Sequence, residues 1–147
     1  ASGALTVLLA NVQGAIAPLS SVTSFLPTGR RPDELDRVLS GIRQAVTVDP
    51  PARVDGIAGE LLTDFTLYHA VLAVSAAVSG LVLTTLALRA ALGRWRLRRT
   101  NRSPQPTWAL QAILFSASGG FFLLLSLANA STWVDPVPAL VASLGQR

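Results

Sequence analysis

Apolar residues in this chain gather into long uncharged runs, broken once by a stretch in which apolar and charged positions alternate at helical spacing. Two runs, from about Thr66 to Leu88 and from about Trp108 to Ala130, contain no Asp, Glu, Lys or Arg. A helix needs about 20 mostly apolar residues to cross roughly 30 Å of hydrocarbon, so each run predicts a transmembrane helix. A third uncharged stretch, from Ala1 to about Pro27, predicts a further span. Asn11, Gln13, Pro18 and the cluster Ser20, Ser21, Thr23 and Ser24 make it less apolar than the other two.

Between the first and second runs the pattern changes period. Pro32 stands at a first helical position, and Asp33, Glu34 and Asp36 follow in the first turn, where the helix dipole favours acids. Leu35, Val38, Leu39, Ile42 and Val46 then recur at the i, i+3, i+4, i+7 spacing of one apolar stripe, with Asp33 and Arg37 four apart on the polar side. This predicts an amphipathic helix from about Pro32 to Val46. Asp49-Pro50-Pro51 stops it, because each proline removes a donor and disfavours the helical region for the residue before it. From Asp55, a candidate N-cap, Ile57, Leu61, Leu62 and Phe65 resume helical spacing and lead into the next run without a breaker.

The pattern as a whole predicts an all-α integral membrane protein. Its expected segments are a first transmembrane helix over 1–27, incomplete if the native chain is longer, an extracytoplasmic helical segment over 28–65, and a second transmembrane helix over 66–90. An Arg-rich loop over 91–107, a third transmembrane helix over 108–130 and an extracytoplasmic or interfacial tail over 131–147 follow. In the tail, Leu140, Val141 and Leu144 form a short apolar patch, expected to be an interfacial helix or the entry to a fourth span. The chain contains no Met, which fits a longer native chain trimmed at one or both ends.

Composition sharpens this picture. The mean hydropathy is +0.49, and 14% of residues are charged over 147 residues, a balance unlike that of a water-soluble domain. All 12 basic residues are Arg, and Ala, Val and Leu dominate the apolar set, usage that suggests a high-GC bacterium such as an actinobacterium. The absence of cysteine excludes disulfides, thiolate metal sites and cysteine nucleophiles from this sequence.

Charge sets the expected orientation. Arg94, Arg96, Arg98, Arg99 and Arg102 put five positive charges and no acid within nine residues, whereas the five arginines from Arg30 to Phe65 are spread over thirty-six. By the positive-inside rule the dense cluster is cytoplasmic in the inner (plasma) membrane, which places 28–65 and the tail outside. The same cluster is expected to hold anionic lipid head groups. It is not expected to bind nucleic acid, which calls for a folded basic face with stacking aromatics or a recognition helix.

Within the spans the informative residues are small, because helices in lipid associate by close backbone approach. Ala73 and Ala77, Ser75 and Ser79, and Ala76 and Gly80 pair at i, i+4 in the second span. Ala112, Ser116 and Gly120 continue that spacing in the third. Ala73, Ala76, Ala77, Gly80, Ala112, Ser116 and Gly120 are therefore the expected helix-packing residues. Leu35, Val38, Leu39 and Ile42 are expected to face a partner from the amphipathic helix.

Chemistry-bearing residues are sparse. His69, the one histidine, sits beside Tyr68 where both rings can reach the interface, and no Cys, second His or carboxylate lies in the spans to complete a relay or metal site. Gln111 and Asn129 are candidates for hydrogen bonds between helices. Trp95, Trp108 and Trp133 are placed like an aromatic belt. Neither a catalytic residue nor a cofactor or metal is expected. The sequence therefore predicts a non-catalytic accessory, scaffold or assembly subunit of a larger bacterial membrane complex, with other membrane subunits and lipids as partners. A lipid importer of the Mce kind comes first as host, before a respiratory or cell-envelope complex. The alternative is a small homo-oligomeric transporter or channel.

Overall fold

A computed structural model describes residues 15, 18, 19, 33–48, 54–100 and 106–145. The expected first span therefore lies almost wholly outside the described residues, as do Asp49, the two prolines after it and Arg102. The described elements are all helical: α1 (Asp33–Val48), α2 (Gly56–Arg99), α3 (Pro106–Val134) and α4 (Pro136–Gly145). Two of them, α2 and α3, are long and apolar enough to cross a membrane. At 1.5 Å per residue the 44 residues of α2 extend about 66 Å, and the 29 of α3 about 44 Å.

The helix boundaries follow local chemistry. The first turn of α1 carries Asp33, Glu34 and Asp36 at the positive end of the dipole. Gly56 opens α2 with a φ of 67°, a left-handed conformation that glycine adopts without cost. Gly59 then lets the Val54 carbonyl fold against the first turn, since any Cβ there would collide with that backbone.

One difference from expectation concerns the Arg-rich segment. Helix α2 does not end near residue 90 but runs through Arg99 and closes on a turn at Thr100, whose amide donates to the carbonyls of Arg96 and Leu97. Arg94, Arg96, Arg98 and Arg99 are thus helical residues rather than loop residues. Alanine, leucine and arginine are strong helix formers, and cations suit a helix C-terminus, so nothing in this stretch stops the helix that precedes it. Pro106 begins α3 where its missing amide hydrogen costs nothing.

The described residues fall into two compact units, one of those up to Leu72 together with residues 129–145 and one of those from Ala73 to Ala128. The first has a core of large apolar side chains: Leu39 and Val46 of α1, Leu61, Leu62 and Phe65 of α2, and Leu140 and Leu144 of α4. Leu140 and Leu144 are 0% exposed. Full burial of one such side chain stabilises by about 1.5–3 kcal/mol. The apolar patch of the tail is therefore part of a core with α1, not a free interfacial surface. Ala58 completes the buried i, i+3, i+4, i+7 set on α2, while Ile57, expected on that stripe, is exposed.

In the second unit α2 and α3 run antiparallel. Positions rise along one helix as they fall along the other: Ala73 meets Ser126, Gly80 meets Gly119 and Leu123, and Gly93 meets Trp108. Most of the large apolar side chains of both helices point away from this contact.

Candidate helix-packing site

The seam between α2 and α3 in the second unit follows a spacing of three and four. On α2 the inward positions are Ala73, Ala76, Gly80, Leu83, Ala87 and Ala90; on α3 they are Trp108, Ala112, Phe115, Gly119, Phe122 and Ser126. That 3.5-residue period is the one that keeps two helices facing each other along their length. Small residues line most of α2, and larger ones from α3 fill the space they leave.

The closest approach falls at two glycines. A Cβ added to Gly80 would lie 2.8 Å from the Leu123 side chain and 3.1 Å from the Gly119 carbonyl oxygen. One added to Gly119 would lie 2.7 Å from Thr84 Oγ1 and 3.1 Å from the Thr84 nitrogen. A Cβ at either position would force Leu123 or Thr84 to shift, so glycine on both sides gives the closest approach. At one end the Ser126 hydroxyl donates across the seam to the Ala73 carbonyl at 2.8 Å. At the other the Trp108 ring lies over Gly93, where a Cβ would meet it. Ser79 and Thr85 satisfy their hydroxyls inside α2, donating to the Ser75 and Leu81 carbonyls, each at 2.8 Å. Such back-bonding satisfies these two hydroxyls without a partner from another helix.

The expected packing residues divide accordingly. Ala73, Ala76 and Gly80 are buried on the seam, and Ala77 and Ala112 are half-buried. Ser116 and Gly120 are exposed, and Gly120 has nothing near the position of a Cβ; Gly119 takes the place expected of it. The cause is geometric. A step of four residues turns about 40° beyond a full circle, so the run Ala112, Ser116, Gly120 rotates off a seam that alternates steps of three and four. Reading by fours also passes over Ala87, Ala90, Phe122 and Ser126. A test for alternating threes and fours on both helices together would have found them.

In the first unit, Leu39 is buried in the core and Leu35 and Ile42 pack against it. Three of the four residues expected to face a partner thus face the chain's own α2 and α4 residues, while Val38 is 59% exposed. The stripe was read on α1 alone, and its cover comes from α4, about a hundred residues later. His69 Nδ1 lies 2.8 Å from Asn129 Oδ1, joining α2 to α3. The Phe65 and Tyr68 rings meet the imidazole edge-on, with centroids at 4.5 and 5.1 Å. Among the described residues no three His, Cys, Asp or Glu side chains come together as a metal site.

Of the expected topology and lipid-contact residues, Arg94 is half-buried and Arg96, Arg98 and Arg99 are exposed. The Arg99 guanidinium lies 3.8 Å from the centre of the Trp95 ring, a cation–π contact that holds it along the helix.

The fold and this seam define an all-helical protein with a close-packed antiparallel pair of long apolar helices. Comparison with protein-family models, with curated proteins and with solved structures finds no match.

Proposed function

We propose that the protein is a non-catalytic subunit of a larger bacterial membrane complex, inserted in the inner membrane through α2 and α3 with the Arg94–Arg99 end in the cytoplasm. Bilayer insertion is supported by the outward faces of the second unit. Val74, Val78, Leu81, Val82 and Leu88 on α2, and Ile113, Phe121, Leu124 and Leu127 on α3, are all exposed. A soluble core helix would bury these side chains, and in water an apolar surface of that size would be a liability.

The observation that carries the subunit reading is the second small-residue face of α3. The α2–α3 seam occupies Gly80 and Gly119, yet Ser116 and Gly120 remain exposed beside them, with open space at Gly120. In lipid a face of small residues is worth most where another backbone can come close. Partner helices from other subunits would seat there.

The test is affinity purification of the full-length protein from its native host in mild detergent, with mass spectrometry of what remains bound. A large stoichiometric partner is expected, lost in Gly120→Leu; components of a lipid importer of the Mce kind are the first to look for. Recovery of the chain alone, or only with copies of itself, would overturn the reading in favour of a small homo-oligomeric transporter or channel.

A further inference from the structure

Between Asp64 and Asp135 the sequence holds six arginines and no acid. Five of the six, Arg89, Arg94, Arg96, Arg98 and Arg99, lie on the last three turns of α2 or just before them, so their countercharge must come from outside the second unit. Two clefts between α2 and α3 take up four of these arginines, and the clefts differ. The one holding Arg94 and Arg98 has a volume of about 290 Å³ and is closed on the α3 side by Ala109, Ala112 and Ile113. The other holds Arg89 and Arg96, is about 580 Å³, and presents Trp108, Gln111 and Phe115 from α3.

We propose that this second cleft is a binding site for one anionic phospholipid, its phosphate held between Arg89 and Arg96 and its acyl chain laid against Leu86 and Phe115. The inference rests on α2 and α3 lying in a bilayer. Arg89 and Arg96 are seven residues apart, on one face of the helix and about 10.5 Å along its axis. Gly93 lies between them, and the Trp108 ring lies over it. The two arginines thus flank the place where the Trp108 indole packs directly on the helix, and the Gln111 amide lines the same cleft. Guanidinium forks match phosphate oxygens in geometry and charge, and tryptophan favours the level of the head groups. Leu86 and Phe115 extend the walls toward the uncharged part of each helix, which suits a ligand with a hydrocarbon tail. The Arg94 and Arg98 cleft offers no polar group from α3, so a head group there would be held from one helix only.

The proposal is tested on the full chain in detergent by native mass spectrometry with added phosphatidylglycerol, phosphatidylcholine or inorganic phosphate, alongside flotation with phosphatidylcholine vesicles. The expected result is flotation with the vesicles and one retained phosphatidylglycerol, preferred about tenfold over phosphatidylcholine. That preference should vanish in R89Q/R96Q and persist within about threefold in R94Q/R98Q, which removes the same charge. Equal loss in the two double variants would overturn the site in favour of diffuse attraction. Equal retention of phosphatidylcholine would overturn its selectivity for anions, and displacement of the lipid by millimolar inorganic phosphate would make it a free-phosphate site. Failure to float with the phosphatidylcholine vesicles would overturn the membrane reading and the site with it, whereas flotation without lipid selectivity would overturn the site alone.

Discussion

The two units of this chain are packed by opposite means. In the first, Leu39, Val46, Leu62, Phe65, Leu140 and Leu144 are inside, and the acids of α1 are on its polar side. In the second, Ala73, Ala76, Gly80, Ala87 and Gly119 are inside with Phe122, while Val74, Val78, Leu81, Val82, Ile113, Phe121, Leu124 and Leu127 are outside. A core of large apolar side chains is what the removal of hydrocarbon from water produces. A seam of small residues, with bulk turned outward, is what close backbone contact produces when the surroundings are as apolar as the side chains. If the second unit lies in a bilayer as proposed, one sequence carries two packing rules, and the change between them falls within α2 and α3.

The sharpest way to break this contrast is to place the same charge on the same degree of exposure in each unit. Val38 is 59% exposed and Leu124 is 68% exposed. In water Val38→Arg should change stability by no more than about 0.5 kcal/mol. Leu124→Arg, near the middle of an apolar span, should cost about 2.5–3.5 kcal/mol of membrane insertion. Measuring the membrane-inserted fraction of each variant during synthesis would show the difference. Leu124→Arg protein that inserts as well as wild type, or that is folded and soluble without detergent, would mean that both units face water.

The second prediction concerns register within the seam. Gly119→Leu should weaken the α2–α3 pair by about 1–3 kcal/mol, because the added side chain meets Thr84 and has no flexible neighbour to displace. Gly120→Leu, one residue on, should leave the pair intact and disturb only what lies beyond it. Unfolding of each variant by a denaturing detergent, followed by circular dichroism, measures the difference; equal losses would mean that the two glycines share a face.

That one-residue distinction marks what the sequence could and could not disclose. The two long apolar helices were legible because length and lack of charge suffice to define them, and the stripe on α1 because its period lies within one helix. The end of α2 was not. The charge density of Arg94 to Arg99 is a signal about topology and points to a loop, whereas the backbone obeys the helix propensity of alanine, leucine and arginine. The seam was only half legible: small residues at i, i+4 picked out Ala76 and Gly80, but whether Gly119 or Gly120 meets them depends on both helices at once. One residue turns a side chain by about 100°. The cover for Leu39 lay in α4, too far along the chain for any local pattern to show.

The smallest effect belongs to the pair that joins α2 to α3 within the first unit. His69 Nδ1 and Asn129 Oδ1 are 2.8 Å apart, and Asn129 is buried at 7% exposure. A polar contact between helices in a membrane protein contributes about 0.6 kcal/mol on average and about 1.7 at most. The modest size has a cause: when the helices separate, each side chain finds water, head groups or its own backbone. A double-mutant cycle with His69→Leu and Asn129→Leu isolates the coupling from whatever else each residue contacts. A coupling of about 0.6 kcal/mol would mean that water or head groups replace the contact readily when the helices separate. A coupling above about 2 kcal/mol would exceed the range for such contacts. It would mean that the pair stays sealed from water and lipid head groups even as the helices loosen, and would place it deeper in the protein than the first unit's aqueous style of packing allows.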